Sequence, residues 1–191
     1  MGTRVGILGG TFNPPHLGHL IIANEVLFQL GLDEVRFMPA GIPPHKKISG
    51  DTSAQQRQEM VRLAIEDHTG FTLEPIELEK EGPSYTYETI KLLVEREPDA
   101  EFHFIIGGDM IEFLPQWYKI EELSQLIQFV GVKRPGYETD SLYNVKMIEV
   151  PQIDISSTFI RDRVASGGTA TYLIPEVVSD YIREEKLYGK G

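Results

Sequence analysis

The stretch GGTFNPPHLGH, from Gly9 to His19, gathers residues suited to holding an anion. Gly9 and Gly10 lack a Cβ, so the backbone there is able to take unusual φ values and to approach a ligand closely. The amides of Thr11 and Phe12 follow, just ahead of a helix whose N-terminus favours phosphate oxygens. Pro14 and Pro15 suit a helix entry, because the first turn has no use for the N–H they lack. With the helix beginning near His16, His16 and His19 fall three apart on one face, aimed at the mouth of the preceding strand. Two chemistries fit such a pair. One is a metal site, but HLGH brings no acidic third ligand and is not H-E-x-x-H, so zinc fits it poorly. The other is anion binding: imidazoles donate hydrogen bonds to phosphate and, when protonated, offset its charge.

Other segments carry chemistry beside a plainer structural reading. In ISSTFIR (Ile155 to Arg161) Ser156 or Ser157 is a helix cap, Thr158 follows, and Arg161 sits about one turn in, able to fork onto phosphate oxygens. The plain alternative is a capped helix with a surface arginine. PPHKK places Lys46 and Lys47 on a loop, and Lys46 is the better candidate to reach a phosphate; solvated lysines are the alternative. Arg134 in VKRPG divides in the same way. IIGGDM brings the Gly107 backbone near a ribose, with Asp109 accepting from its hydroxyls, or else makes a strand-end turn with Asp109 as a cap. The single tryptophan, Trp117, lies between Gln116 and Tyr118, a polar setting in which it either stacks on a planar heterocycle or belongs to the core.

These segments need a frame. Apolar runs at Arg4 to Leu8, Glu34 to Pro39, within AEFHFIIGGDM, within LIQFVGVKRPG and in VKMIEVP read as strands; two further short pieces in FTLEPIELEKEGPS are interrupted by Pro75. Helical periodicity covers Leu17 to Leu30 with Gly31 as C-cap, Ser53 to about Glu66, Tyr85 to Glu95, Lys119 to Ser124, Ser156 to Ala165 and Pro175 to about Glu185. Alternating β and α elements imply an α/β fold, a Rossmann-like doubly wound parallel sheet with a small C-terminal helical subdomain over about 155–191, all within one domain spanning 1–191. In such a sheet ligands bind beyond the carboxyl ends of the strands. GGTFNPPHLGH, AGIPPHKK, GGDM, VKRPG and ISSTFIR all follow expected strands, so one rim should collect them.

Bulk composition narrows the partners. The chain has 191 residues, 41% hydrophobic and 25% charged, enough for a real core. A net charge of −11 repels polyanions and argues against nucleic acid, while leaving room for a small anion in a local pocket. No cysteine is present, so disulfides and thiolate metal sites are excluded. The opening MGTRVGIL is too short and too quickly polar for a signal peptide, and no apolar run spans a bilayer. A cytoplasmic location without membrane contact is the expectation, with a homodimer left open.

GGTFNPPHLGH resembles the signature of the (T/H)xGH nucleotidyltransferase superfamily, G-G-[ST]-F-[DN]-P-x-H-x-G-H, and ISSTFIR is similar to its second signature, I-S-[ST]-[ST]-x-[IV]-R. Both stand in the family order, and the resemblance covers nearly the whole chain. Many members carry Asp where this chain has Asn13; both cap helices, so little consequence is expected. GPSYTYET around Thr86, GGDM, and the pair Trp117–Tyr118 resemble the nicotinate-mononucleotide adenylyltransferase branch. That resemblance implies transfer of AMP from ATP to nicotinate mononucleotide in NAD biosynthesis. It implies a nucleotide held by Gly9, Gly10, Thr11, Phe12, Gly107, Asp109, Arg134, Ser156, Ser157 and Thr158. It also implies His16, His19 and Arg161 at the reacting phosphates, and Mg²⁺ carried by ATP. Lys46 is assigned to nicotinate mononucleotide, Trp117 to stacking on the pyridine ring, and the amides of Thr86 and Tyr118 to its carboxylate. The rivals are a phosphopantetheine-type transferase of the same fold, an NAD-dependent oxidoreductase and a nucleotide sensor without turnover. The G-x-x-G-G spacing is wrong for the oxidoreductase fingerprint.

Overall fold

Val5, Ile7 and Leu8 are apolar without polar alternation, the pattern of a strand covered on both faces. Accordingly β1 (Arg4–Gly10) lies inside a sheet, between β2 (Glu34–Pro39) and β4 (Glu101–Gly107). The computed structural model describes residues 2–41, 52–80, 82–133, 142–151 and 153–189. Among them, six strands run in the order β3-β2-β1-β4-β5-β6, every neighbouring pair parallel, with β3 at Phe71–Leu73, β5 at Gln128–Lys133 and β6 at Val145–Glu149. Chain order reverses between β1 and β4, so a crevice opens beyond Gly10 and Gly107.

Side chains alternate across β1. Leu8 joins the layer under α1 (Leu17–Leu30) and α2 (Ala54–Ile65), with Val26, Phe37 and Val61. Val5 and Ile7 face the opposite layer, closed by α4 (Thr86–Arg96) and α6 (Ile120–Leu126) through Ile90, Leu93 and Leu123. Two last helices, α7 (Ser157–Ala165) and α8 (Glu176–Glu184), enclose a third apolar cluster in which Met60 of α2 meets Ile160, Val178 and Ile182. No helix among the described residues is long and apolar enough to cross a membrane.

Local signals act as chemistry dictates. Ser53 caps α2: its Oγ accepts the Gln56 N–H at 3.1 Å, and the Gln56 Oε1 accepts the Ser53 N–H at 2.9 Å. Gly31 ends α1 with φ +60°, the left-handed conformation glycine adopts without strain. One element departs from expectation. Residues beyond Pro75 do not extend a second strand piece; they coil into the short helix α3 (Ile76–Glu79). Proline cannot donate to a strand ladder, but its carbonyl accepts the Leu78 N–H at 2.8 Å and starts a helical turn. The remaining turns are α5 (Gly108–Ile111) and a 3₁₀ turn at Leu114–Gln116.

Arg36 of β2 secures the far end of α4. Its Nη1 and Nη2 each donate to one Glu97 oxygen at 2.7 Å, and its Nε donates to Glu34 at 2.9 Å. The buried Glu74 beside it is held by Arg96. Hydrogen bonding to Arg36 pulls the Glu97 carboxyl down to about 2. A depressed carboxyl stabilises the fold fully above its ordinary value of 4.5, and that contribution is lost as pH falls towards 2. Urea unfolding should therefore show E97Q less stable than the parent at pH 7, with the gap closing as pH drops from 4.5. A gap that holds constant across that window contradicts this account.

Candidate active site

The loop leaving β1 turns sharply through Phe12, whose φ of +50° is uncommon for a bulky side chain. That strain is held by burial: Phe12 is 1% exposed and packs on Phe37, with ring centroids 5.7 Å apart. The paired glycines answer to this arrangement. A Cβ on Gly10 would meet the Phe12 ring at 2.9 Å, whereas one on Gly9, which is exposed, would find only ordinary contacts. Neither glycine has a positive φ, so the expected unusual backbone falls on Phe12 instead. Of the two, Gly9 is the more exposed at the rim.

His16 is the N-cap of α1, as the spacing predicts, and its ring stacks on His19 with centroids 3.7 Å apart and planes at 24°. Phe12 meets His19 edge-on at 4.9 Å. The His16 backbone N–H donates to Nδ1 of His19 at 3.1 Å. A backbone amide can only donate, so Nδ1 is an acceptor and the neutral ring carries its proton on Nε2. Burial, then repulsion from His16, holds the His19 pKa well below its ordinary 6.5. In the unliganded protein His19 is therefore a neutral donor. The positive charge allowed for the pair in the sequence reading is absent from His19 until an anion arrives.

The second signature locks onto the first. Arg161 donates from Nη1 to the Asn13 carbonyl at 2.8 Å and from Nη2 to Thr158 Oγ1 at 3.2 Å. Ser157 Oγ donates to the Pro14 carbonyl at 2.8 Å, and Ser156 Oγ caps α7 by accepting the Phe159 N–H at 3.1 Å. Asn13 does not cap α1. Its Oδ1 accepts the Tyr188 hydroxyl at 2.6 Å. From the other side, Arg57 of α2 donates to the carbonyls of Thr11 and Ala40 at 3.0 and 2.8 Å.

Across the crevice a second group forms at the start of α4. Tyr85 and Tyr87 pack on Tyr118 with centroids 4.9 and 6.2 Å apart, which brings the segments carrying Thr86 and Tyr118 side by side. Lys119 holds its Nζ 4.8 Å from the Tyr87 ring and 5.5 Å from the Tyr118 ring. Trp117 is half-buried and meets Phe104 and Phe129 edge-on at 5.9 and 6.1 Å, so it belongs in part to the core. Gly107 caps α5 and Asp109 lies in that helical turn, not at its cap. Lys46 and Arg134 lie outside the described residues. Arg57, Tyr188 and Lys119 are the site residues that sequence reasoning missed. Only the α2 periodicity, which places Arg57 on the buried side with Met60 and Val61, hinted at one of them.

A model of cytidylyltransferase-like proteins matches residues 7–163. The nicotinate-nucleotide adenylyltransferase of Bacillus subtilis is 52% identical over 97% of this chain and 98% of its own length. The chain belongs to this cytidylyltransferase-like family. A second member, the probable nicotinate-nucleotide adenylyltransferase of Lactiplantibacillus plantarum, is 55% identical over 97% of this chain and 88% of its own. At 20% identity, the Plasmodium falciparum nicotinic acid mononucleotide adenylyltransferase complexed with NaAD shares the fold, with a TM-score of 0.80 and 97% of each chain covered. In this cytidylyltransferase-like chain, both signatures meet beyond the carboxyl end of β1, beside the strand-order reversal.

The His19 assignment is open to nitrogen-15 NMR. Long-range correlations should show a neutral ring protonated at Nε2 at pH 7, taking up a second proton only well below pH 6.5. A ring that titrates at its ordinary value, or carries its proton on Nδ1, overturns the assignment.

Proposed function

We propose that this chain transfers AMP from ATP to nicotinate mononucleotide, releasing nicotinate adenine dinucleotide and pyrophosphate. The observation that carries this reading is the joining of both signatures: the stacked imidazoles of His16 and His19, at the start of α1, directly follow the loop that Ser157 and Arg161 anchor at Pro14 and Asn13. The relatives at 52% and 55% identity, named for this activity, support it.

The chain needs no nucleophile of its own. A 5′-phosphate oxygen of nicotinate mononucleotide attacks the α-phosphorus in line, a new P–O bond forms, and the bond from the α-phosphorus to the bridging oxygen breaks. The electron pair leaves with pyrophosphate. Alignment and charge stabilisation supply the acceleration. His19 donates its Nε2 hydrogen to an oxygen at the α/β junction, and His16 supports it. As negative charge accumulates there, the His19 pKa rises, and a neutral donor strengthens towards an imidazolium. Gly9 offers bare backbone beside the phosphates, next to Gly10, Thr11 and Phe12. Arg161 and the α7 amides of Ser156, Ser157 and Thr158 take the β/γ end, with Arg134 a further cation. Gly107 and Asp109 line the ribose. Mg²⁺ carried by ATP would offset the charge of the triphosphate; among the described residues no group of three or more His, Cys, Asp or Glu side chains is placed to hold a metal ion.

For the acceptor, Trp117 supplies a flat surface and the amides of Thr86 and Tyr118 take the ring carboxylate. Lys119 adds a positive charge beside them, and Lys46 reaches the acceptor phosphate. N–H donors fit a carboxylate and offer nothing equivalent to an amide NH₂, which favours the acid.

Pyrophosphate release should be followed with ATP and three acceptors in parallel: nicotinate mononucleotide, its amide, and phosphopantetheine. Release with the acid well above the other two is expected; preference for phosphopantetheine overturns the reading. H19A should lower kcat by about 10²–10³-fold, the scale of one lost transition-state donor, while still unfolding in a single cooperative transition. W117F, which preserves packing on Phe104 and Phe129, should raise KM for nicotinate mononucleotide several-fold and leave KM for ATP within about twofold. An equal rise for both substrates assigns Trp117 to the fold alone.

A further inference from the structure

Arg57 is the largest fully buried side chain described in this protein, at 2% exposure. Its Nη1 reaches two carbonyls, Thr11 at 3.0 Å and Ala40 at 2.8 Å, which lie just past the ends of β1 and β2. Its Nε is buried and has no hydrogen-bond partner among the described residues. Arg4, Arg36, Arg62, Arg96 and Arg183 each pair with a carboxylate; among the described residues Arg57 has none within ion-pair distance. The ionisable group that acts on it is Tyr188, and burial pushes that phenol up, so it stays neutral. Two carbonyl dipoles hold Nη1 without cancelling the charge of the guanidinium. A buried cation lacking a counter-charge is unfavourable by several kcal/mol in general, and a guanidinium does not escape by losing its proton. In a chain carrying a net charge of −11, carboxylates are plentiful, yet none among the described residues is placed here.

We infer that Arg57 is a positioning residue of the nucleotide site: it clamps the β1 and β2 exits together, and its field behind the Gly9–Asn13 loop draws the polyphosphate as the counter-charge it lacks. It acts through the loop, touching Thr11 and not the ligand. This rests on the phosphate-binding reading of that loop, and it adds a cation to the site from a helix that neither signature includes.

The readout is the ratio of dissociation constants for AMP and ATP, measured by calorimetry on the full chain with no acceptor present. A residue that only supports the fold weakens both nucleotides alike, whereas a field acts in proportion to phosphate charge. R57Q keeps a donor for the carbonyls and removes the charge; it should lower Kd(AMP)/Kd(ATP) by about tenfold, the scale for one partly screened charge near a polyphosphate. R57K keeps the charge and loses the paired carbonyl geometry; its ratio should stay within about threefold of the parent while both affinities fall. R57M repeats the charge loss should R57Q fold poorly. An unchanged ratio in R57Q or R57M overturns the inference, leaving the site reading intact. A parent protein that binds AMP and ATP equally overturns the phosphate reading of the loop, and this inference with it.

Discussion

A single backbone N–H, that of His16, governs what the site can do by donating to Nδ1 of His19. The bond places the one remaining proton of the ring on Nε2 and fixes its orientation. Stacking on His16 and the edge of Phe12 then confine the ring to one plane. Everything around it maintains this geometry. Gly10 makes room for the Phe12 ring, Phe12 accepts a left-handed backbone to deliver it, and Phe37 of β2 closes the other side. An ordinary βα turn would leave His19 free to rotate and to titrate near neutrality.

The loop that carries this arrangement has little regular structure of its own, so it borrows rigidity from three directions. α7 holds it through Arg161 and Ser157, α2 through Arg57, and the chain beyond α8 through Tyr188. The backbone of α1 adds a fourth tie, since the Leu17 N–H donates to the Leu173 carbonyl at 2.9 Å. The sheet supplies only the platform. Its two apolar layers set β1 beside β4, and the reversal of strand order opens the crevice; the polar ties then turn that opening into a site. Tyr85, Tyr87, Tyr118 and Lys119 form a separate wall, so the two halves of the crevice differ in character, one rich in donors and the other aromatic.

Most of the sheet was legible because buried parallel strands read as apolar runs, and the histidine pair because helical spacing is a strong constraint. The helix over 76–79 was not, since Ile76 and Leu78 alternate with acids as a strand does and only the Pro75 carbonyl decides otherwise. Arg57 falls on the buried stripe of α2 with Met60 and Val61, but the carbonyls that hold it come from the chain just past β1 and β2, a relation that helical spacing does not carry. The role of Asn13 was misjudged for the same reason. A cap is a local relation that sequence can suggest, whereas its bond to Tyr188 is purely tertiary. The glycines carried a true signal with the wrong cause, because the demand at Gly10 comes from a ring two residues on and not from its own dihedral angle.

The bond between Tyr188 and Asn13 joins residues 175 apart, so the loop is synthesised long before the group that braces it. All six strands precede Tyr188 in the chain, so a molecule with its sheet already made still lacks this brace until the segment beyond α8 docks. Contacts of such sequence separation close late in folding. The final geometry of the loop thus waits on a residue far along the chain, in whatever order the sheet assembles.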